Sequence, residues 1–190
     1  MVTSDRASAP ARSGSVARGP GLAEAGTELP TAARFRASSR LWPTGVAVLT
    51  TKDATGAPHG TTVNSLTTIS LDPPLLLVSL GSSSRALEHI SDTRVFALNV
   101  LSRDQEPLAQ NFAQPGRRGG ADAFAEIPTE AGSRTGCLLL TDSIGYFECG
   151  AQRIEAVADH CLVIGAVLSC GDLQTAPPLV FANAAFRQLR

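Results

Sequence analysis

Three places along the chain hold side chains whose types and spacing could do chemistry. The first runs from His59 to Pro74, where Thr61, Thr62, Asn64, Ser65, Thr67, Thr68 and Ser70 recur inside an otherwise apolar stretch. Polar groups in such surroundings must be paired or must face a ligand, so the segment is either a self-satisfied strand edge or a binding surface of short neutral donors. The second is Gly81-Ser82-Ser83-Ser84-Arg85, just ahead of a helical pattern. Free N–H groups at a helix start, with a guanidinium beside them, suit an anion such as phosphate; a plain serine cap is the structural alternative. The third is Asp159-His160, opening a β-rich run, where the imidazole either orients a ligand or marks a turn.

Other chemistry lacks support. The chain has no GxSxG elbow, no phosphate loop ending in GK[ST], no HExxH and no HxE with CxxC. The glycine-rich run from Gly116 to Gly120 follows a helical stretch rather than a strand, so it is not a dinucleotide fingerprint. Cys137, Cys149, Cys161 and Cys170 form no CxxC pair, and buried free thiols are expected. A formal net charge of −1, with the charges scattered, excludes the basic footprint of a nucleic-acid binder. Apolar runs fall well short of the roughly 20 residues a membrane helix needs, and no signal-like segment opens the chain. A cytoplasmic protein without a membrane partner is expected.

The elements that must position these residues follow from local pattern. Residues 1–30 are Ala, Gly, Ser, Pro and Arg in no period, with few large apolar groups to offset ordering entropy, and read as a disordered tail. Residues 31–190 read as one domain. A short helical stretch from Thr31 ends at Trp42, because Pro43 disfavours helical geometry in the residue before it. Residues 45–51 and 59–65 read as a hairpin about the turn Asp53-Ala54-Thr55-Gly56. Strands over 75–80, 95–101, 137–141, 144–157 and 160–168 bring the count to six or seven. Helices are expected over 84–91, opened by a serine cap, and over 105–113, opened by Asp104. Many strands with few helices predict a barrel or sandwich, not a doubly wound parallel sheet.

Together these stretches resemble the flavin reductase family that supplies reduced flavin to two-component monooxygenases. The likeness runs from about Phe35 to Leu189 and rests on five stretches in order. They are Pro43-Thr44-Gly45-Val46; Thr62-Val63-Asn64-Ser65 running into Ser70-Leu71-Asp72-Pro73-Pro74; Phe96-Ala97-Leu98-Asn99-Val100 with Gln105 and Phe112-Ala113; Asp122-Ala123-Phe124; and Asp159-His160. The resemblance implies a mainly β, flavin-binding split β-barrel, assembled as a homodimer whose flavin cleft is edged by the second subunit. It implies hydride transfer from NADH, with NADPH the alternative donor, to an exchangeable flavin. FAD is expected ahead of FMN, and the reduced flavin passes to a separate oxygenase.

Carried over position by position, the resemblance places Pro43, Thr44, Thr62, Val63, Asn64 and Ser65 beside the flavin ring, where donors stabilise the charge that reduction puts on its pyrimidine end. It places Ser82, Ser83, Ser84 and Arg85 at the flavin phosphate, although the family's threonine just inside the helix is absent. Phe112, Arg117 and Arg118 fall in the region that caps the flavin or the nicotinamide, with the arginines toward phosphate and Phe112 leaning toward the core. His160 matches a nicotinamide-side histidine, while His59 and His89 read as surface residues. Ala184 and Ala185 replace the usual glycine of the last strand turn. Two rivals remain: a tight FMN-binding oxidase of the pyridoxamine-phosphate-oxidase type, for which no dense basic phosphate cluster is evident, and a non-enzymatic flavin-binding protein.

Overall fold

A computed structural model describes residues 29–187. Apart from Leu29 and Pro30, the tail expected over residues 1–30 lies outside the described residues. Helix α1 (Ala32–Ser39) starts where Thr31 Oγ1 accepts the Arg34 N–H at 3.2 Å, and it ends before Pro43 as the sequence requires. After β1 (Thr44–Gly45) come β2 (Ala47–Lys52) and β3 (Pro58–Val63), an antiparallel hairpin in register from Ala47 opposite Val63 to Lys52 opposite Pro58. Asp53 Oδ1 closes the turn by accepting the N–H groups of Thr55 and Ala57, both at 2.9 Å. The remaining elements are β4 (Leu66–Leu71), β5 (Pro74–Gly81), α2 (Arg85–Thr93), β6 (Val95–Val100), α3 (Glu106–Ala113), β7 (Thr129–Ala131), β8 (Leu138–Leu140), β9 (Gly145–Val157), β10 (His160–Asp172), β11 (Val180–Ala182) and β12 (Ala185–Arg187).

Among the described residues seven strands form one antiparallel sheet in the order β3-β2-β6-β9-β10-β5-β4, and five short ones pair outside it, so the total of twelve exceeds the six or seven expected; β4 was not foreseen, and the strand expected over 137–141 is β8, outside this sheet. The hydroxyl-rich segment, read from sequence as one strand region, is two strands broken at Asn64 and Ser65. That break governs the architecture. β3 and β4 are consecutive in the chain yet occupy opposite edges of the sheet. Two linking residues reach only about 10 Å, so the sheet must curl until its edges meet.

Both faces of the curl are buried. Along β2, Ala47 and Leu49 join the cluster that α2 covers with Ala86, Leu87 and Ile90, while Val48 joins Val46 in the cluster that α3 covers with Ala109 and Phe112. Period-2 alternation between two cores explains why residues 46–49 are apolar without interruption. The second helix begins one residue later than expected and Asp104 does not open it: Asp104 lies inside a single tight turn that Ser102 starts, with Gln105 Oε1 accepting the Ser102 N–H at 2.9 Å, and α3 follows from Glu106. Among the thiols, Cys137 and Cys149 are buried, Cys161 is half-buried and Cys170 is exposed. Burial pushes the Cys149 thiol up to about 12, which leaves it unreactive. No described helix is long and apolar enough to cross a membrane.

Candidate functional site

The first group of residues gathers where β3 parts from β4. Asn64 Nδ2 donates to Thr44 Oγ1 at 3.1 Å, and Ser65 Oγ donates to the Ser79 carbonyl at 2.6 Å. Asn64 and Thr44 line a cavity of about 480 Å³ with Phe35, Trp42 and Phe181, a size suited to a small organic ligand. Pro43 is exposed beside it. The preceding two positions are used differently. Thr62 Oγ1 donates to the Ala109 carbonyl at 2.7 Å, tying β3 to α3, and Val63 is buried in the core. Of the tetrapeptide, Asn64 and Ser65 therefore present exposed side chains.

The second group is the turn between β5 and α2. Ser84 stands at the N-cap of α2, but its hydroxyl makes no capping bond, so the helix start keeps its free donors. β10 pairs with β5 so that His160 lies opposite Gly81, and the Asp159 carbonyl accepts the Ser82 N–H at 3.0 Å. The fold thus sets the Asp159-His160 pair against the serine turn. His160 Nδ1 lies 2.9 Å from Asp159 Oδ1, and that hydrogen bond holds the Asp159 carboxyl below its ordinary range. The imidazole remains half exposed.

Of the third group the sequence named Arg85, Arg117 and Arg118 as phosphate-side residues, but not their convergence on His59. His59, Arg85, Arg117 and Arg118 line one shallow hollow, with Gly60, Gly119 and Gly120 among its backbone walls. Arg117 is fixed there: its Nη2 donates to the Gly60 carbonyl, its Nη1 donates to the Gln114 carbonyl at 3.1 Å, and its guanidinium sits 5.7 Å over the Phe112 ring. Gly60 is required for this stacking, since a Cβ would stand 2.7 Å from Phe112 Cε1 and 2.8 Å from Phe124 Cζ. Phe112 is fully buried, in the core toward which the sequence leaned rather than beside the flavin; it is the floor on which Arg117 rests.

His59 and His89 are likewise not surface residues. Both are half-buried with their rings 5.2 Å apart, edge to face. Burial, then the charges of Arg117, His89 and Arg85, bring His59 down to about 4. Burial and Arg85 also lower Arg117. Nothing local marks His59 as part of this group, because its cationic neighbours arrive from α2 and from the turn after α3. The described residues contain no cluster of side chains that could hold a metal ion.

Residues 39–190 match the model of the flavin reductase like domain. A protein from Rhizobium meliloti named "Probable flavin reductase" is 45% identical over 124 residues, which are 65% of this chain and 38% of that one. The chain therefore spans well under half the length of that relative. The structure of the NADH:FAD oxidoreductase SgcE6 from Streptomyces globisporus, in complex with NAD and FAD fragments, matches with a TM-score of 0.78 at 28% identity and covers 86% of this chain and 98% of its own. The styrene monooxygenase flavin reductase from Pseudomonas putida S12 matches with a TM-score of 0.71 at 31% identity, over 82% of this chain and 97% of its own.

Proposed function

Because the chain belongs to the flavin reductase family, we propose that it is the reductase half of a two-component system, taking hydride from NADH to an exchangeable flavin, FAD ahead of FMN, that a separate oxygenase then uses. The observation that carries this reading is that Ser65, at the parting of β3 and β4, bonds Ser79 of β5, the strand that leads into a helix start whose cap is free. A donor-rich edge and an anion site on neighbouring strand ends fit a flavin ring and its phosphate. The sequence argument against a tight FMN-binding oxidase, the lack of a basic cluster, fails in three dimensions, since Arg85, Arg117 and Arg118 do converge. Family membership, the NADH:FAD oxidoreductase likeness and the monooxygenase reductase likeness support the reductase instead.

In this reading the curled sheet is a split β-barrel. Thr44, Asn64 and Ser65, with Pro43 and the backbone at Val63, hold the ring edge, and Ser82, Ser83, Ser84 and Arg85 hold the phosphate. When bound there, the flavin would supply the hydride acceptor, its N5, and the nicotinamide the donor, its C4. The protein's part is alignment and electrostatic support: Asn64 and the backbone donors stabilise charge on the ring, and His160 orients the nicotinamide from the serine-turn side. No side chain needs to become covalent.

A homodimer is supported by α1. Its eight residues include no buried one, and Phe35, Leu41 and Trp42 are 66%, 69% and 77% exposed. A helix this short is marginal in water unless something covers it. A second copy would do so and would edge the cavity beside Asn64.

Purified protein tests the reading. A colourless preparation that oxidises NADH only when flavin is added supports the reductase. A yellow one without turnover marks a flavin-binding protein, and a yellow one that consumes oxygen with its own substrate marks the oxidase.

A further inference from the structure

Successive residues of an extended chain point to opposite sides, so neighbouring side chains do not ordinarily touch. Asp159 and His160 do, with His160 Nδ1 2.9 Å from Asp159 Oδ1. The turn makes the contact. Val157 and His160 pair across β9 and β10, which leaves Ala158 and Asp159 as a two-residue turn, and Ala158 takes a φ of 54°. A residue with a Cβ is strained in that region and persists there only where its surroundings over-determine it. Here they do so from β5: the Ser82 N–H donates to the Asp159 carbonyl at 3.0 Å, and His160 pairs with Gly81.

The carboxylate is 91% exposed and the imidazole half exposed, so the contact adds little to stability. Its effect falls on the imidazole hydrogen. The bond to His160 is the largest of the effects that hold the Asp159 carboxyl below its ordinary range, so the group facing Nδ1 is an acceptor with no hydrogen of its own. An acceptor there requires the hydrogen on Nδ1, and in the neutral ring Nε2 is then bare. Among the described residues nothing bonds Nε2. A bare nitrogen can only accept. A primary carboxamide offers a donating amine at one end and an accepting carbonyl at the other, and a ring nitrogen without hydrogen takes the amine.

We propose that Asp159 is a positioning residue that fixes the Nδ1–H tautomer of His160, so that the bare Nε2 accepts from the carboxamide amine of the nicotinamide and sets which way that group turns. The inference deepens the reductase reading and rests on it, through the nicotinamide-side place of His160. The carboxamide is conjugated with its ring, so holding its amine end also orients the ring and the carbon that gives up the hydride.

Asp159→Ala tests this, since so exposed a side chain can be removed without opening the core. Nitrogen NMR of the histidine rings is the first measurement, with His160→Ala identifying the His160 signals beside those of His59 and His89. The parent protein should carry hydrogen on Nδ1 and none on Nε2, and Asp159→Ala should shift His160 toward the Nε2–H form. The second measurement sets NADH against its acetylpyridine analogue, which keeps the carbonyl but has no amine. Asp159→Ala should lower kcat/KM for NADH about fivefold, as loss of one hydrogen bond does, and leave that for the analogue unchanged. Hydrogen on Nε2 or on both nitrogens in the parent overturns the proposal, and so does a tautomer that Asp159→Ala does not alter. An unchanged kcat/KM for NADH, or an equal fall with both donors, overturns it as well. A protein that reduces flavin while the two donors fall together keeps the reductase reading and loses the proposal. One that reduces no flavin sinks the reductase reading and, with it, the carboxamide as the group His160 meets, whatever the spectra show.

Discussion

Asn64 and His160 occupy neighbouring strand ends but should fail in different ways when changed. Asn64 sits at the break between β3 and β4 with its amide on Thr44, so Asn64→Ala removes a donor from the ring edge. One such bond is worth about 1–3 kcal/mol, and the flavin KM should rise about tenfold while the NADH KM holds. His160→Ala should do the opposite, raising the NADH KM or slowing reduction and leaving oxidised-flavin binding intact. Because the imidazole is half exposed and bonded only to its neighbour Asp159, the melting temperature should not fall. Stopped-flow reduction alongside a melting curve separates the cases. A drop in stability with both ligands affected would make His160 structural. Both residues were singled out by their motifs, whereas the use of the Thr62 hydroxyl was not readable, because its partner, the Ala109 carbonyl, lies on α3 and no local pattern names it.

His59 is the residue whose surroundings changed most between sequence and structure, and it makes a prediction about pH. Its folded value of about 4 lies below the ordinary 6.5, so between these values the unfolded chain binds the proton and the folded one does not. The stability His59 contributes is therefore fully present above about pH 6.5 and is lost as pH falls toward 4. His59→Gln should flatten that stretch of the stability curve. The half-exposed ring is screened by solvent, so the difference should be about 1 kcal/mol rather than the full shift. Equal slopes for the two proteins in that window, measured by denaturant unfolding, would mean that the basic hollow does not perturb His59.

At the scale of elements, the first turn and the end of α1 were read well because their chemistry is local, and the two expected caps were not. Asp53 closes the first hairpin and Pro43 lies just beyond α1, as the residue types require, whereas Ser84 stands at the N-cap of α2 without a capping bond and Ser102, not Asp104, opens the turn before α3. The last hairpin is the informative departure. Asn183 and Ala184 both take positive φ, 53° and 56°, in the two-residue turn between β11 and β12. Asparagine tolerates that region, but alanine pays for its Cβ there. Ala184→Gly should raise stability by about 1 kcal/mol, offset in part by glycine's freedom in the unfolded chain. An unchanged or lower melting temperature would show that this turn is held in some other geometry.

For the whole molecule, the exposed apolar surface of α1 and Trp42, together with Leu71 at 90% exposure, calls for a cover. If that cover is a second copy, Trp42→Glu should convert dimer to monomer in sedimentation at micromolar concentration. Because the same face borders the cavity beside Asn64, flavin affinity should fall with it. A monomeric parent protein with full turnover would remove the dimer from the mechanism. Truncation to begin at Glu28 should leave both properties intact, since the composition of residues 1–30 cannot support a core.

The sequence alone determined the mainly β class and most of the long strands and helices near their observed positions, and it singled out the stretches at Asn64, Ser82–Arg85 and His160. Strand alternation, turn residues and caps act over a few residues, so they can be read along the chain. Only the tertiary structure decided what those stretches meet. The curl that joins β3 to β4, the setting of His160 opposite Gly81, and the burial of Phe112 beneath Arg117 are contacts between residues far apart in the chain. The hollow shared by His59, Arg85, Arg117 and Arg118 belongs with them, because electrostatic and packing forces act through space, where sequence separation no longer measures distance.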